Sequence, residues 1–346
     1  MRAVVIERQG TPVTANVSVR GDWPEPSAPG HGQALIKTIA TAFNHMDLWV
    51  GRGIGGLTLP YPRISGCDAC GMVEAVGAGV DPAWMGRRVI VNAATKVAPR
   101  VHPDDPPASS LAPAYELIGE HHNGMFCERF VAPAANLVQV DGCDPVQAAA
   151  FGLCALTAYS MMVGKGAMRP GQSVLITGVG GGVATSALAL AKHSGCPTIV
   201  TSRHQWKLDK AKALGADATI LDTGEDWSKQ VRGWSNKRGV DIAVDSVGKT
   251  THLSCLKSLA RGGAYLTPGA TTGGDPVTDL PRIFWNQLRV LGSTMGSAAE
   301  FQEVTALFRS GKLLPVIDSV FEAKDAPKAF ARLEAGEQFG KIVVTW

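Results

Sequence analysis

The sequence predicts an α/β fold in two parts, a doubly wound parallel sheet and a second, mostly β domain. Three observations indicate this division. Strand-like and helix-like segments alternate between residues 173 and 268, a glycine-rich turn follows the first of those strands, and short β-branched runs separated by Gly and Pro fill the first 140 or so residues. Such alternation is typical of a parallel sheet covered by helices, whereas short strands with frequent turns favour an antiparallel sheet or distorted barrel.

The N-terminal part carries short apolar runs between turn residues. Examples are the segments 3–6, 34–36, 71–73 and 88–91. Residues 93–123 follow as a long, proline-rich connection, and connections of this length are unusual unless they are functional or mobile. We therefore expect a mostly β domain that includes a long loop.

From about Pro145 the pattern changes to alternating strands and helices. A parallel doubly wound sheet accounts for this order, because each helix carries the chain back to the starting end of the sheet. Two more helical segments and a final strand follow, and they could return to pack on the first domain. The predicted segments are 173–179, 183–193, 197–203, 205–214, 218–221, 225–234, 240–247, 250–259 and 262–268, then 298–310, 325–335 and 341–344.

The composition fits a globular protein and indicates neither a nucleic-acid nor a membrane partner. The chain has 346 residues, of which 45% are hydrophobic and 18% charged, and its net charge is +3 with no massed basic residues. The N-terminus has no apolar signal core, and the longest apolar stretch, 148–163, is interrupted by hydroxyl side chains, which favours a buried helix over a membrane span. Seven widely spread cysteines fit reduced thiols, so we expect a cytoplasmic location.

The stretch from Ser173 to Lys207 is the most informative part of the sequence. An apolar strand leads into a glycine turn, a helix of small residues and a second strand. This order binds a dinucleotide, because the amides of the turn and the helix N-terminus face a pyrophosphate. The strict G-x-G-x-x-G pattern is absent, so a βαβ unit without a ligand is the alternative. The candidate cofactor residues of the turn are Gly178, Gly180, Gly181, Gly182 and Val183.

The residues at the end of the second strand favour NADP over NAD. Carboxylates at this position bond the ribose hydroxyls of NAD and repel the additional phosphate of NADP. Here the position holds Ser202 and Arg203, with Lys207 one helical turn further on, and none is a carboxylate. A hydroxyl, a guanidinium and an ammonium can each donate to a phosphate. In the alternative interpretation, Arg203 and Lys207 are only solvated charges.

A series of short motifs along nearly the whole chain resembles the medium-chain dehydrogenase/reductase family, specifically its quinone-oxidoreductase-like and zinc-free alcohol-dehydrogenase-like members. Each motif is short, but their order and spacing are jointly specific. They are FNHMDL at 43–48, GCDACGMV at 66–73, GEH at 119–121, LTA at 156–158, RPGQ at 169–172, LGAD at 214–217, DSVG at 245–248, PGATT at 268–272, GSTMG at 292–296 and FGK at 339–341.

The resemblance implies a Rossmann dinucleotide-binding domain over residues 151–296 and a barrel-like, GroES-like catalytic domain formed by 1–150 and 297–346. It also implies a homodimer, formed through the strand near residues 288–292. Lys341 matches a family lysine near the cofactor phosphates or ribose, and a surface lysine before an edge strand is the alternative. The other positions that the resemblance assigns to the cofactor are Thr157, Gly248, Gly269, Ala270, Thr271, Thr294 and Met295.

The ligands that zinc-dependent members of this family use are missing here. The catalytic zinc positions fall on Asn44, Cys67 and Leu153, and a single thiolate does not make a site when zinc takes three or four protein ligands. The structural zinc of those enzymes needs four closely spaced cysteines, and no cysteine occurs between Cys70 and Cys127. We therefore expect no zinc. A metal site at the C-x-x-C pair Cys67 and Cys70 is the alternative, and it would recruit His121, His122 or Cys127.

Hydride transfer without a metal requires hydrogen-bond donors that stabilise the charge developing on the substrate oxygen. Asn44 is the candidate orienting donor, since the resemblance places it in the substrate cleft. His45 is a candidate proton donor or phosphate contact, and a histidine that only packs is the alternative.

The sequence therefore predicts an NADPH-dependent, zinc-independent oxidoreductase that transfers hydride to an activated double bond of an enone or quinone. An enolate spreads the developing charge, which is why such substrates are favoured. Two alternatives remain open: a zinc-free alcohol or aldehyde dehydrogenase, and an NADPH-binding sensor or structural protein with little turnover.

Overall fold

The computed structural model describes residues 1–95, 110 and 115–346, so most of the predicted 93–123 connection lies outside the described residues. The chain folds into two compact units. Unit 1 comprises Met1–Leu153, Ser297–Arg309 and Pro315–Trp346, and unit 2 comprises Cys154–Gly296 and Ser310–Leu314. The predicted domain boundaries, after residues 150 and 296, lie beside the breaks after Leu153 and Gly296. The functions assigned to the two domains remain predictions at this point.

The described residues form the following elements. The strands are β1 (Ala3–Ile6), β2 (Val17–Arg20), β3 (Gln33–Ala42), β4 (Arg63–Ile64), β5 (Asp68–Val76), β6 (Arg88–Val91), β7 (Ala94–Thr95), β8 (Glu116–Leu117), β9 (Arg129–Pro133), β10 (Leu137–Gln139), β11 (Val174–Ile176), β12 (Thr198–Ser202), β13 (Ala218–Leu221), β14 (Val240–Val244), β15 (Leu259–Thr267), β16 (Arg289–Gly292), β17 (Ile317–Glu322) and β18 (Lys341–Thr345). The helices are α1 (His45–Arg52), α2 (Pro145–Tyr159), α3 (Gly182–His193), α4 (Gln205–Ala213), α5 (Ser228–Trp234), α6 (His252–Ser258), α7 (Leu280–Trp285), α8 (Ala298–Arg309) and α9 (Ala326–Glu334).

Unit 1 contains the short, mostly antiparallel strands that the sequence predicts. Its largest sheet has the order β10-β6-β5-β3-β18-β17, and β9 also pairs with β3. The central strand β3 pairs with β9 through Gln33–Lys37 and with β18 through Ala40–Ala42. The C-terminal strand β18 therefore belongs to the same sheet as the N-terminal strands. The end of the chain returns to the first domain, which the sequence had left as a possibility.

Unit 2 is the predicted doubly wound parallel sheet. Its strand order is β13-β12-β11-β14-β15-β16, and every neighbouring pair is parallel. The order reverses between β11 and β14, and a reversal of this kind opens a ligand crevice at the carboxyl ends of the strands. Helices pack on the sheet over a buried apolar core that includes Leu175, Ile199 and Tyr265. The predicted bounds between residues 173 and 268 differ from the observed ones by at most three residues.

The apolar stretch predicted to be a buried helix forms α2, which continues as a π-helical segment, Ser160–Lys165. Among the described residues, Pro145–Lys165 is the one helix long and apolar enough to cross a membrane by length and composition. Within the structure, 72% of its most apolar window is buried. Such burial is what the core helix of a folded domain shows.

Candidate cofactor and active site

The glycine turn at the carboxyl end of β11 has the shape of a phosphate-binding loop. Gly178 and Gly180 have φ angles of 58° and 130°, which residues other than glycine rarely adopt. A Cβ atom on Gly180 would lie 2.7 Å from Cδ of Lys207, so a side chain there would displace the lysine as well as strain the backbone. Gly181 caps α3, which begins at Gly182. Because the first N–H groups of a helix have no partner within it, this end of α3 suits a bound anion.

Hydrogen bonds fix the turn to the neighbouring strand. The Val179 N–H donates to the Thr201 carbonyl at 2.8 Å, and the Gly178 N–H donates to Thr201 Oγ1 at 3.3 Å. At the start of α3, Thr185 Oγ1 donates to the Gly181 carbonyl at 3.1 Å. These bonds fix the turn to the end of β12 and to the first turn of α3.

The predicted nucleotide-selecting residues lie at the end of β12. Ser202 is buried, and its Oγ accepts from the His204 N–H at 3.2 Å, whereas Arg203 is exposed. Lys207 is 8% exposed, and its Nζ lies 3.4 Å from the position of a Cβ on Gly180 and 5.2 Å from the Trp206 ring centroid. Lys207 is therefore a largely buried ammonium beside the glycine turn and not a solvated surface charge.

Asp245, which follows β14, organises a second loop at the same edge of the sheet. Its carboxylate accepts from Thr177 Oγ1 at 2.6 Å, from Tyr265 Oη at 2.8 Å and from Thr251 Oγ1 at 2.9 Å. Burial raises the pKa of the Tyr265 phenol, which keeps it a donor to this carboxylate. No role for the Asp245 side chain was predicted from the DSVG motif at 245–248.

The remaining cofactor positions predicted in unit 2 gather near this loop or at the ends of β15 and β16. A Cβ on Gly248 would lie 2.8 Å from the Ala270 Cβ, and the Thr271 N–H donates to the Ser246 carbonyl at 3.2 Å. The Gly269 N–H donates to Thr267 Oγ1 at 3.4 Å. Met295 follows β16, and its sulfur lies 4.0 Å from Thr157 Oγ1, while the neighbouring Thr294 is exposed.

A buried polar cluster lies in unit 1, and we term Asn44, Cys67, Asp68 and Lys341 the Lys341 cluster. Lys341 Nζ donates to Asn44 Oδ1 at 2.6 Å and to Asp68 Oδ2 at 2.9 Å. Asn44 Nδ2 donates to Asp68 Oδ2 at 2.9 Å and to Cys67 Sγ at 3.2 Å. Lys341 is 3% exposed and Asp68 is 1% exposed, so the ion pair is almost fully withdrawn from water.

Strand pairing assembles this cluster from three distant segments. Val343 of β18 lies opposite Ala42 of β3, and Ala42 lies opposite Asp68 of β5. Asn44 lies two residues after the end of β3 and immediately before α1. The Leu153 N–H adds a bond of 2.7 Å to Asp68 Oδ1. The cluster therefore depends on the register of three adjacent strands.

Asp47 bonds to the backbone next to two segments of the cluster. Its side chain is fully buried, and its two oxygens accept from the N–H groups of Asn44 and Gly66, each at 2.8 Å. Burial raises the pKa of Asp47 to about 7, although these two bonds and the Lys341 charge act in the opposite direction. Asp47 thus fixes the backbone on either side of the cluster.

Of the site residues predicted in unit 1, Asn44 and Lys341 are buried and His45 is exposed. The Asn44 amide donates to Asp68 and Cys67 within the cluster, and Lys341 binds Asn44 and Asp68. His45 is exposed at the first residue of α1, with its ring centroid 6.2 Å from that of Trp49. The surface-lysine alternative for Lys341 is therefore wrong. The ion pair between Lys341 and Asp68 was not predicted from the sequence. The one signal that could have pointed to it is that a buried aspartate needs a cation as its partner.

The residues of the Lys341 cluster do not fit a zinc ion. The three positions that carry the catalytic zinc ligands in zinc-dependent members hold an amide, one thiol and Leu153, and an ammonium lies among them. No group of three or more His, Cys, Asp or Glu side chains in the described part of the chain is arranged to hold a metal. Burial raises the pKa of Cys70 to about 12, which disfavours the thiolate that a metal would need.

Comparison with known proteins gives matches over both units. Residues 30–142 match the family model for the alcohol dehydrogenase GroES-like domain, and residues 182–310 match the model for zinc-binding dehydrogenases. A relative from Leptosphaeria maculans, the zinc-type alcohol dehydrogenase-like protein YogA, is 29% identical over 92% of this chain and 91% of its own length.

Solved structures resemble the chain over its full length. A crystal structure of an NAD-dependent alcohol dehydrogenase is 35% identical, covers 100% of both chains and has a TM-score of 0.92. A mycobacterial quinone oxidoreductase is 26% identical, also covers 100% of both chains and has a TM-score of 0.80.

Asp47 makes the free energy of unfolding depend on pH. A carboxyl group with a pKa of about 7 when folded and about 4 when unfolded binds more protons in the folded state. Its contribution to stability is present below pH 4 and is lost as the pH rises through 7, with a slope of at most about 1.4 kcal/mol per pH unit. We expect Asp47→Asn to remove this slope in chemical denaturation measured from pH 4 to 8. Equal slopes for the two proteins would contradict the assignment.

Proposed function

The chain belongs to the medium-chain dehydrogenase/reductase family, and within it we propose that this oxidoreductase uses NADPH, needs no zinc and reduces an activated double bond in an enone or quinone. The observation that carries this proposal is the Lys341 cluster. It holds an amide and one thiol at two of the positions that the resemblance assigns to the catalytic metal, and the lysine ammonium is bonded to that amide.

The choice of NADPH is supported by the charges around the glycine turn. When bound, this nucleotide supplies the hydride. The amides of the turn and of the first turn of α3 suit its pyrophosphate. Lys207 beside Gly180 and the exposed Arg203 offer positive charge to an additional phosphate, and Ser202 offers a hydroxyl in place of a repelling carboxylate. The relatives named as NAD-dependent argue for the competing cofactor.

The choice of substrate follows from how developing negative charge can be stabilised. A metal would polarise the substrate oxygen directly. Without one, a conjugated carbonyl eases the reaction because its charge is shared along an enolate. In unit 1, the Lys341 cluster holds a lysine–aspartate ion pair and an oriented amide that are withdrawn from water, where electrostatic effects are strong.

A zinc-free alcohol or aldehyde dehydrogenase is the second candidate, and the name of the 35% identical solved structure favours it. The two candidates differ in product: an alkene reductase yields a saturated ketone, whereas a carbonyl reductase yields an alcohol. A binding protein with little turnover would give neither product.

We also propose that the chain forms a homodimer through the edge strand β16. The segment around α7, next to this strand in the sequence, exposes several large apolar side chains, including Phe284 at 68% and Trp285 at 70%. Val290 of β16 is exposed as well. An edge strand beside an apolar patch is a surface that a second copy of the chain can cover.

The proposed reaction is tested with purified protein, NADPH and a panel of enones, quinones and aldehydes. We expect NADPH oxidation with enones or quinones, and a saturated ketone as the product from an enone. Dialysis against a zinc chelator should leave the rate unchanged, and elemental analysis should find less than stoichiometric zinc. Stoichiometric zinc together with loss of activity on chelation would refute the proposal.

The nucleotide preference is tested by Ser202→Asp. A carboxylate at the end of β12 should weaken NADPH binding by at least about tenfold, which corresponds to 1.4 kcal/mol, and leave NADH binding equal or tighter. Ser202→Ala is the matched control, because it removes the hydroxyl without adding charge. Fluorescence titration of both nucleotides gives the dissociation constants. Unchanged NADPH affinity in Ser202→Asp would contradict the role of this position.

The dimer is tested by Phe284→Asp in analytical ultracentrifugation. A charge within the apolar patch should shift the protein from dimer to monomer at micromolar concentration. Val320→Asp, at another half-exposed apolar residue, is the control and should leave the dimer intact. A monomeric wild-type protein, or a dimeric Phe284→Asp variant, would refute the proposed interface.

A further inference from the structure

We propose that Lys165 is a positioning residue, which holds the segment after β16 in the conformation that hydride transfer requires. Lys165 acts through its bond to Ser293 and does not touch the substrate. This inference deepens the proposed function and rests on its use of a nicotinamide nucleotide. Lys165 lies outside all the motifs from which the site residues were predicted.

The ammonium of Lys165 is bonded to two buried hydroxyl groups. Its Nζ donates to Ser160 Oγ at 2.9 Å and to Ser293 Oγ at 3.1 Å. Ser160 is 1% exposed, Ser293 is 7% exposed, and Lys165 itself is half-buried. A lysine loses much rotamer freedom when its end is fixed in this way, so the two bonds mark a specific tether.

The π-helical segment Ser160–Lys165 makes the first of these bonds possible. Side chains five residues apart on an α-helix point about 140° away from each other around its axis. A π-helix instead bonds each residue to the fifth one along, and the Gly166 N–H does donate to the Met161 carbonyl at 2.9 Å. Lys165 therefore points to the same side as Ser160, and it bridges that residue to the segment after β16.

Ser293, the first residue after β16, is held from two sides. Its N–H donates to the Thr267 carbonyl at 2.9 Å, and its Oγ accepts from Lys165. Two residues further on, Met295 has a φ of 49°, which a side chain of this size adopts only under constraint from its surroundings. Its sulfur lies 4.0 Å from Thr157 Oγ1. The tether at Ser293 contributes to that constraint.

The segment 293–296 lies on the side of the sheet where the reacting half of a dinucleotide is expected. The strands β11, β14, β15 and β16 are parallel, so the segment follows a carboxyl end, as the glycine turn does. In the proposed binding mode, the adenosine extends from the turn over the end of β12. The nicotinamide half then extends the other way, over the ends of β14 to β16. Movement of this segment would displace the reacting ring more than the pyrophosphate.

The first test is hydrogen–deuterium exchange of the nucleotide-free protein. Lys165→Met keeps the length of the side chain and removes its donors, so we expect the amides of 293–296 to exchange at least about tenfold faster than in the wild type. Ser293→Ala removes the same bond and should give the same increase. Lys165→Arg retains donors and charge and should restore most of the protection. Wild-type exchange in both Lys165→Met and Ser293→Ala would overturn the inference.

The second test is a single turnover of NADPH with an enone, followed by stopped-flow absorbance. We expect Lys165→Met to slow hydride transfer at least about tenfold, because small displacements of reacting atoms are costly, while the dissociation constant of NADPH changes less than about threefold. Adding Ser293→Ala should slow the reaction no further, since both changes remove one bond. Lys192→Met is the matched control, because it removes a lysine bonded to Asp217 at 2.8 Å elsewhere in unit 2, and it should leave the rate unchanged.

Equal losses of NADPH affinity and rate in Lys165→Met, or additive losses in the double variant, would indicate a structural role only and would overturn the inference. If Lys165→Met does not fold, Ser293→Ala carries both tests, since it removes a single hydroxyl group. The exchange experiment needs neither nucleotide nor substrate. The proposed function fails if the wild-type protein oxidises no NADPH with enones or quinones, whereas the inference fails if the wild-type protein is active and the two variants match it.

Discussion

The buried ion pair between Lys341 and Asp68 is the interaction on which unit 1 depends most. An ionised carboxylate that is withdrawn from water must be paired, or its burial costs several kcal/mol. Asp68 is paired by one ammonium, one amide and one backbone N–H. These three partners come from β18, from the start of α1 and from α2, so the pair fixes three elements around one charge. The orientation of Asn44, and with it the chemistry available in unit 1, follows from this pairing.

Unit 2 differs in that its candidate phosphate-binding turn is built mainly from the backbone. The start of α3 beside the glycine turn leaves several N–H groups without a partner inside the helix. The positive φ of Gly178 and Gly180 lets the chain turn tightly, and Lys207 fills the space that a side chain at Gly180 would have taken. The missing side chain at Gly180 therefore leaves the room in which the buried Lys207 lies.

The local features of this fold could be predicted from the sequence, and the long-range contacts could not. The end of β12 at Ser202 and the start of α3 beside the glycine turn follow from apolar periodicity and glycine placement. The pairing of β18 with β3 depends on register between segments that are nearly 300 residues apart, as the 297-residue separation of Asn44 and Lys341 illustrates. For that reason Lys341 was assigned to the cofactor by resemblance, and its bonds to Asn44 and Asp68 were missed. Helix α1 was also missed, since eight residues give too short a periodic signal.

The position of β18 in the sheet also has a consequence for synthesis of the chain. Asp68 emerges from the ribosome 273 residues before Lys341, and all of β11 to β16 is made in between. Until β18 arrives, the Ala40–Ala42 segment of β3 lacks that neighbour and the Asp68 carboxylate lacks its cation. Unit 2 has no such delay, because nearly all of it is one continuous segment. Unit 2 can therefore fold first, and unit 1, which begins the chain, is completed last.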